Sequence, residues 1–420
     1  MVLDTVKYHF RESAWRIKKV LRSGLASISR LRAGSAATDP GAPATIGYSH
    51  LRLAPARDGL LLRDFAPDSM LRVRATEVRR ARFPVIDVHC HLNDGIVMRR
   101  SVNPEQFIQV MDETNVKAAL NLTGGWGQQL RRCLHDLAES FPGRFFVFCQ
   151  IDYTHLDEPN YLVEMLDEAR AAGARGVKVL KDLGLSVRDS RGKLVRIDDP
   201  RLDCVWEKAG KWGMPVAIHT ADPDAFFARV DRHNERYQQL VVHPDWSFFG
   251  RGLPSKPELL AQRNRVFERH PGTRFWGLHM ANHPEDLDEV TGWMKKYPNL
   301  VVELGGRIAE LGRQPRRASR FLQQFQDRVM FGMDTKLTVD SYRTYFRCLE
   351  TDDESFDYPG YPWMGEWKIY GLNLSDAVLL KLYHDNAARE LGLPLLQTPW
   401  RQALRTPSRE NYPGKHKTAE

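Results

Sequence analysis

From Phe83 onward the chain repeats one pattern eight times: a short apolar run, then a longer segment of helical period. The first runs are VIDVHCH (85–91), VKAALNLT (116–123) and RFFVFCQID (144–152), followed by PEQFIQVMDETN, GQQLRRCLHDLAES and PNYLVEMLDEARAAG. ARGVKVL (174–180), MPVAIHT (214–220), TRFWGLH (273–279), NLVVELG (299–305) and RVMFGMD (328–334) continue the series. Long loops separate the fifth and eighth runs from their helices. Strands alternating with helices imply a parallel sheet. Eight in succession, with no Gly-rich GxGxxG turn after the first, predict an α/β fold of the (β/α)8 TIM-barrel type over an open doubly wound sheet.

The rest of the chain lies outside this repeat. Residues 3–32 place Phe10, Ala14, Ile17, Leu21, Leu25, Ile28 and Leu31 on one stripe, with Arg11, Lys18, Lys19, Arg22 and Arg30 off it. That is a basic amphipathic helix, fit for an anionic membrane surface, a partner protein or the barrel itself. Residues 33–47 are small and rich in Pro and Gly, as in a flexible linker. The domain expectation is therefore helix and linker over 1–47, a lead-in segment over 48–82, a (β/α)8 barrel over 83–395 and a tail over 396–420.

Charge follows the same division. The chain has 61 Lys+Arg and 53 Asp+Glu; residues 1–82 hold 16 and 7 of them, leaving 45 and 46 for the rest. The basicity is N-terminal and the barrel is neutral, so nucleic acid is not an expected partner. Five scattered cysteines without a CxxC pair predict reduced core thiols in a cytoplasmic protein, with the basic helix allowing peripheral membrane contact. No run of 18 apolar residues spans a membrane.

In such a barrel the chemistry sits at the carboxyl ends of the strands. Four runs end there in a metal-ligating or acid/base residue: His89 and His91 on the first, His219 on the fifth, His279 on the sixth and Asp334 on the eighth. Strand alternation puts Asp87, His89 and His91 on the inward face, with Ile86, Val88 and Cys90 outward. Cys90 is thus a packing thiol, and Asp87 a structural carboxylate below the histidines. Residues i and i+2 lie roughly 6.6 Å apart along one face, so both imidazoles reach one ion. A third imidazole and a carboxylate complete a mixed N/O site suited to zinc or a similar divalent metal, where bound water can attack a carbonyl-like carbon.

VIDVHCH, MPVAIHTAD, FWGLHMAN, VMFGMD and DNAARELGL together resemble the amidohydrolase superfamily. The resemblance is to the amidohydrolase-related branch that holds aminocarboxymuconate-semialdehyde decarboxylase and the resorcylate decarboxylases. It runs from about residue 83 to 394. It implies that His89, His91, His219 and Asp334 bind one divalent metal, usually zinc and sometimes manganese. Asp334 would also act as general base, and His279 would polarise the substrate carbonyl or shuttle a proton, unless it is only a structural strand-end histidine. Binuclear members carry a carboxylated lysine at the end of the fourth strand, where Lys178 stands. The expectation here is one metal with Lys178 near the substrate, or Lys178 paired with Glu303.

Arg251, Arg307 and Lys256 are candidate anchors for a substrate carboxylate. The long eighth loop carries Tyr342, Tyr345, Phe346, Phe356, Tyr358, Tyr361, Trp363, Trp367 and Tyr370, which suit a lid over a planar substrate or small cores within the loop. The expected function is a metal-dependent hydrolase of a C–N or C–O bond, with metal-activated water attacking a carbonyl-like centre of a small, aromatic or carboxylated substrate. The alternative is a decarboxylase of an aromatic or unsaturated acid at the same site. A barrel kept as a non-enzymatic scaffold, or one of the PHP phosphoesterases, fits the filled ligand positions less well. The expected assembly is a homodimer.

Overall fold

The computed structural model describes residues 67–92 and 102–396. The predicted helix over 3–32, the linker, most of the lead-in and nearly all of the tail lie outside the described residues.

Each apolar run contributes to the barrel. The strands are β1 Val85–Cys90, β2 Val116–Asn121, β3 Phe145–Val147, β4 Cys149–Gln150, β5 Val177–Val179, β6 Val216–Ile218, β7 Phe275–Gly277, β8 Leu300–Glu303 and β9 Val329–Met330. β3 and β4 are two halves of the third run, broken at Phe148. All pairings are parallel between neighbours in sequence, β1 to β3 in one sheet and β4 to β9 in the other. Backbone bonds join the two sheets on both sides. Phe148 N–H donates to Asn121 C=O (3.0 Å) at the break, and Val88 N–H donates to Phe331 C=O (3.0 Å) where β1 meets the end of β9. The result is the closed (β/α)8 barrel that the repeat predicts.

The helices numbered with the barrel are α1 Pro104–Thr114, α2 Gly127–Cys133, α3 Pro159–Ala172, α4 Asp203–Lys211, α5 Lys256–Arg269, α6 Leu287–Lys296 and α7 Pro315–Gln324. The eighth, α8, runs through Asp376–Leu380, a π-turn and Asn386–Leu391. Their starts follow sequence signals: Asn103 caps α1 ahead of Pro104, and Ser255 with Glu258 forms a capping box on α5. Outward strand residues such as Val177, Val179, Val216, Ile218 and Val302 pack with helix residues such as Met111, Trp206 and Phe267.

A separate inner cluster takes Ile86 and Val88, Ala118 and Leu120, Phe148, Ala217, Trp276, Val301 and Met330, with Ala387, Ala388 and Leu391 of α8. β5 adds no apolar side chain to it, because its inward residue is Lys178. Trp276 Nε1–H donates to Glu390 Oε2 (2.9 Å), tying this core to α8.

Residues 73–82 are strapped to the barrel. Thr76 gives its N–H and hydroxyl to Asp353 (2.6 and 2.7 Å), and Arg82 N–H donates to Glu350 (3.0 Å). The long loops are tied together as well. Arg236, after β6, donates to Glu310, after β8, and to the Met364 carbonyl (3.1 Å), after β9. Most aromatics of the eighth loop are core, not lid. Tyr342, Tyr345 and Phe346 lie on the helix Val339–Glu350 around Phe331, and Phe356 and Tyr358 are also buried. Trp363 is half-buried, edge-on to the stacked pair His243 and Trp246.

Candidate metal centre

β1 is not a regular strand, and this decides which of its side chains reach the interior. Its pairing with β2 slips between Val85 and Ile86 and again between Asp87 and Cys90. Ile86 and Val88 therefore join the inner core, against the expected alternation, while His89 also turns inward. Asp87 faces the other way. Its Oδ2 accepts from Tyr342 Oη–H (2.6 Å), and Oδ1 from the N–H groups of His89 and Met333 (3.0 Å each). Asp87 is structural as expected, but it clips β1 to the outer helix instead of lying beneath the histidines. Burial raises its carboxyl to about 6. Cys90 packs outward, and every cysteine in the described structure is free.

His89, fully buried, sets its Nδ1 3.0 Å from Glu303 Oε1 at the end of β8. His91 Nε2 lies 3.3 Å from Asp334 Oδ1, and His89 Nε2 lies 3.7 Å from the same oxygen. The other oxygen, Asp334 Oδ2, is 3.5 Å from His279 Nε2. His279 Nε2 in turn is 3.3 Å from His219 Nδ1. His89, His91 and Asp334 can thus share one ion, and so can His89, His279 and Glu303. His219 stands beyond His279 and shares neither set.

The tautomers follow from the outer partners. Gly305 C=O faces His279 Nδ1 (2.7 Å) and Ala221 C=O faces His219 Nε2 (3.0 Å). A carbonyl only accepts, so those nitrogens carry the hydrogens. Glu303 is a carboxylate with its pKa lowered: burial raises it, but its interaction with His89 and the N–H groups of His279 and Gly305 outweighs that. His89 therefore donates from Nδ1. Its Nε2 is left buried with no hydrogen-bond partner. His279 Nε2 and His219 Nδ1 face each other at 3.3 Å with neither ring offering a hydrogen there. This donor set of imidazole and carboxylate fits a divalent metal of the zinc or manganese type.

Burial keeps the imidazoles neutral: it pushes His219 down to about 4, lowers His91 and holds His279 well below the ordinary histidine range. Burial would raise Asp334, yet its interactions with His89, His91 and His279 hold its carboxyl well below the usual range. The chain pays for this geometry in backbone strain at Asp334, whose φ is 41°, with its N–H held by His89 C=O (2.9 Å).

The remaining predicted residues divide sharply. Lys178 is buried, its Nζ without a hydrogen-bond partner, and burial pulls it down to about 7 against the charges of Asp334 and Glu303. The reading in which it pairs with Glu303 fails, because Glu303 already takes His89 Nδ1, His279 N–H (2.5 Å) and Gly305 N–H. Arg307 is buried beside the site; Nη1 donates to Gly306 C=O (3.0 Å) and Nε has no partner. Arg251 is exposed and donates to Pro244 C=O (2.7 Å), and Lys256 pairs with Asp224 and Glu285 (2.6 and 3.2 Å), so neither is brought to the histidines. One site residue and one role escaped the sequence reading. Asp222, salt-bridged to Lys181 (2.6 Å), lies 3.6 Å from His219 Nε2, and Glu303, expected only as a partner of Lys178, orients His89. The signal for Glu303 was a carboxylate at an inward strand end.

The family model described as amidohydrolase matches residues 86–393. No curated protein matches the chain. Among solved structures, 2,6-dihydroxybenzoate decarboxylase complexed with 2,6-dihydroxybenzoate is 16% identical, with TM-score 0.50, over 74% of this chain and 100% of that one. A dihydroxybenzoic acid decarboxylase from Polaromonas with bound manganese and 2-nitroresorcinol is 14% identical, with TM-score 0.49, over 74% and 97%. An amidohydrolase from Burkholderia multivorans with bound zinc is 16% identical, with TM-score 0.45, over 74% and 100%. The first of these likenesses speaks to the fold alone. On the family model, the chain belongs to the amidohydrolase family.

Proposed function

We propose that this member of the amidohydrolase family is a one-metal hydrolase that cleaves a C–N or C–O bond at a carbonyl-like centre of a small substrate. The observation that carries the reading is the way Asp334 divides its oxygens, Oδ1 toward His89 and His91 and Oδ2 toward His279. His89, His91 and Asp334 would hold the ion, with His219 as fourth ligand; zinc is the first choice and manganese the second. A divalent ion bound there supplies Lewis acidity, easing the ionisation of water and polarising a carbonyl.

The side chains supply the rest. Asp334 accepts a proton from the attacking water, whose oxygen bonds to the carbonyl carbon. His279, with Nδ1–H fixed on Gly305 and Nε2 bare, is set to accept that proton and pass it to the departing nitrogen or oxygen as the C–N or C–O bond breaks. Proton transfer thus fits this tautomer better than polarisation of a carbonyl by His279.

A second reading, decarboxylation, is favoured by one observation: Lys178 and Arg307 are buried cations with unpartnered nitrogens, suited to anchoring a substrate carboxylate. One solved decarboxylase that shares this fold is complexed with 2,6-dihydroxybenzoate. In that reaction the C–C bond breaks, carbon dioxide leaves, and Asp334 or His279, having first taken a proton from water or from the substrate's acid group, gives it to the carbon. Incubation of the metal-loaded protein with lactones, amides and aromatic acids separates the two. Hydrolysis of a lactone or amide without carbon dioxide supports the first reading. Carbon dioxide from an acid, with no turnover of lactones or amides, overturns it in favour of the second.

A further inference from the structure

We infer that Arg263 and Asn282 are positioning residues for His279: they lock the chain after β7 in a left-handed turn that aims the imidazole at Asp334 and His219. Four consecutive residues without a glycine have positive φ, namely His279 (56°), Met280 (57°), Ala281 (52°) and Asn282 (57°). L-residues resist this region because Cβ crowds the following carbonyl, so a run of four persists only where its surroundings impose it.

Those surroundings hold the turn at both ends. His279 N–H donates to Glu303 Oε1 (2.5 Å), and its Nδ1–H to Gly305 C=O (2.7 Å). Asn282 Oδ1 accepts from Thr220 N–H (2.8 Å) at the end of β6, and its N–H closes the turn on Leu278 C=O (2.9 Å) and His279 C=O (3.0 Å). From outside the barrel, Arg263 of α5 donates to Ala281 C=O. Gly277 leaves room for the chain to fold back, since a Cβ there would lie 3.0 Å from Ala281 Cβ.

Arg263 is an unusual residue to find here. It is wholly buried, between the rings of Phe267 (5.3 Å) and Trp293 (4.6 Å), and its hydrogen bonds go to the Ala281 carbonyl and the Asn264 side chain instead of a carboxylate. A buried guanidinium is costly, and burial pulls its pKa down to about 9. An apolar side chain would fill the space equally well, but it would leave the strained turn's carbonyl without a donor.

The inference concerns the residue to which the proposed reaction gives proton transfer, and its test reads position, so that either can fail without the other. Crystal structures and histidine-ring NMR spectra of the zinc-loaded protein are compared for wild type, R263M, R263K and N282A, with the His279 signal identified by its absence in H279Q. In R263M and N282A, Met280 and Ala281 are expected to leave positive φ, and the His279 signal to shift as the ring withdraws from Asp334. R263K keeps a donor and the wild-type signal. An R263M protein that only melts earlier, with the turn and the His279 signal unchanged, overturns the inference. Should R263M fail to fold, A281G decides. Glycine takes positive φ without strain, so a melting temperature raised by about 1–2 °C with His279 unmoved supports the locked turn, and a lowered one overturns it.

Discussion

Gly332 has no room for a methyl group, since a Cβ there would lie 2.1 Å from Glu303 Oε2 and 2.9 Å from His89 Cβ. The G332A substitution is therefore expected to cost about 1–3 kcal/mol and to separate the pair that orients His89. Reduced bound zinc per chain together with a lower melting temperature checks this. Glu303 itself acts through charge. E303Q keeps the shape but removes the carboxylate that fixes His89 Nδ1–H, and is expected to weaken zinc binding about 10–100-fold in a chelator competition. Unchanged affinity would show that Glu303 does not orient the ligand. The strand-end histidines and Asp334 were legible in the sequence because each closes an apolar run. The role of Glu303 was not, because its partner His89 lies 214 positions away and Lys178 was the nearer candidate. The tautomers were equally hidden, since they depend on the carbonyls of Gly305 and Ala221.

At the scale of elements, alternation gave the right face for His219 and Asp334 but failed on β1, and on β7 as well, where Trp276 and Leu278 join the inner core although alternation turns them outward. The rule assumes regular pairing, and β1 slips twice against β2, which moves Val88 inward and Asp87 outward. The turn after β7 was illegible for a related reason: HMAN contains no glycine to mark a left-handed backbone. The strap over residues 73–82 depends on Asp353, buried under Thr76 and paired to Arg347 Nε (2.7 Å). Burial pushes this carboxyl up, but the Thr76 hydroxyl and N–H and the Arg347 guanidinium outweigh it and hold the pKa below 3.8. The clasp therefore stabilises the fold fully above pH 3.8 and loses that contribution as the pH falls below it. D353N is expected to cost about 1–3 kcal/mol at neutral pH, with the gap to wild type closing below that pH in denaturant titrations. A gap independent of pH would contradict the account.

For the molecule as a whole, the eight-fold repeat was the most legible feature, and the family match over residues 86–393 covers the same stretch. Among the described residues no helix is long and apolar enough to cross a membrane. The barrel brings residues from β1, β6, β7, β8 and β9 to one end of a closed apolar core. The imidazole nitrogens and the aspartate gathered there are a donor set that fits a divalent cation. An ion that binds the folded chain alone adds about 2.7 kcal/mol at a hundredfold excess over its Kd. Whether the histidine cluster holds an ion is decided by the zinc bound per chain after purification and dialysis, in wild type and in H89A and D334A. One ion per wild-type chain, a melting temperature that falls on chelation, and loss of the ion in both variants are expected. A wild-type protein that retains no ion and melts at the same temperature with and without zinc would contradict a metal centre there.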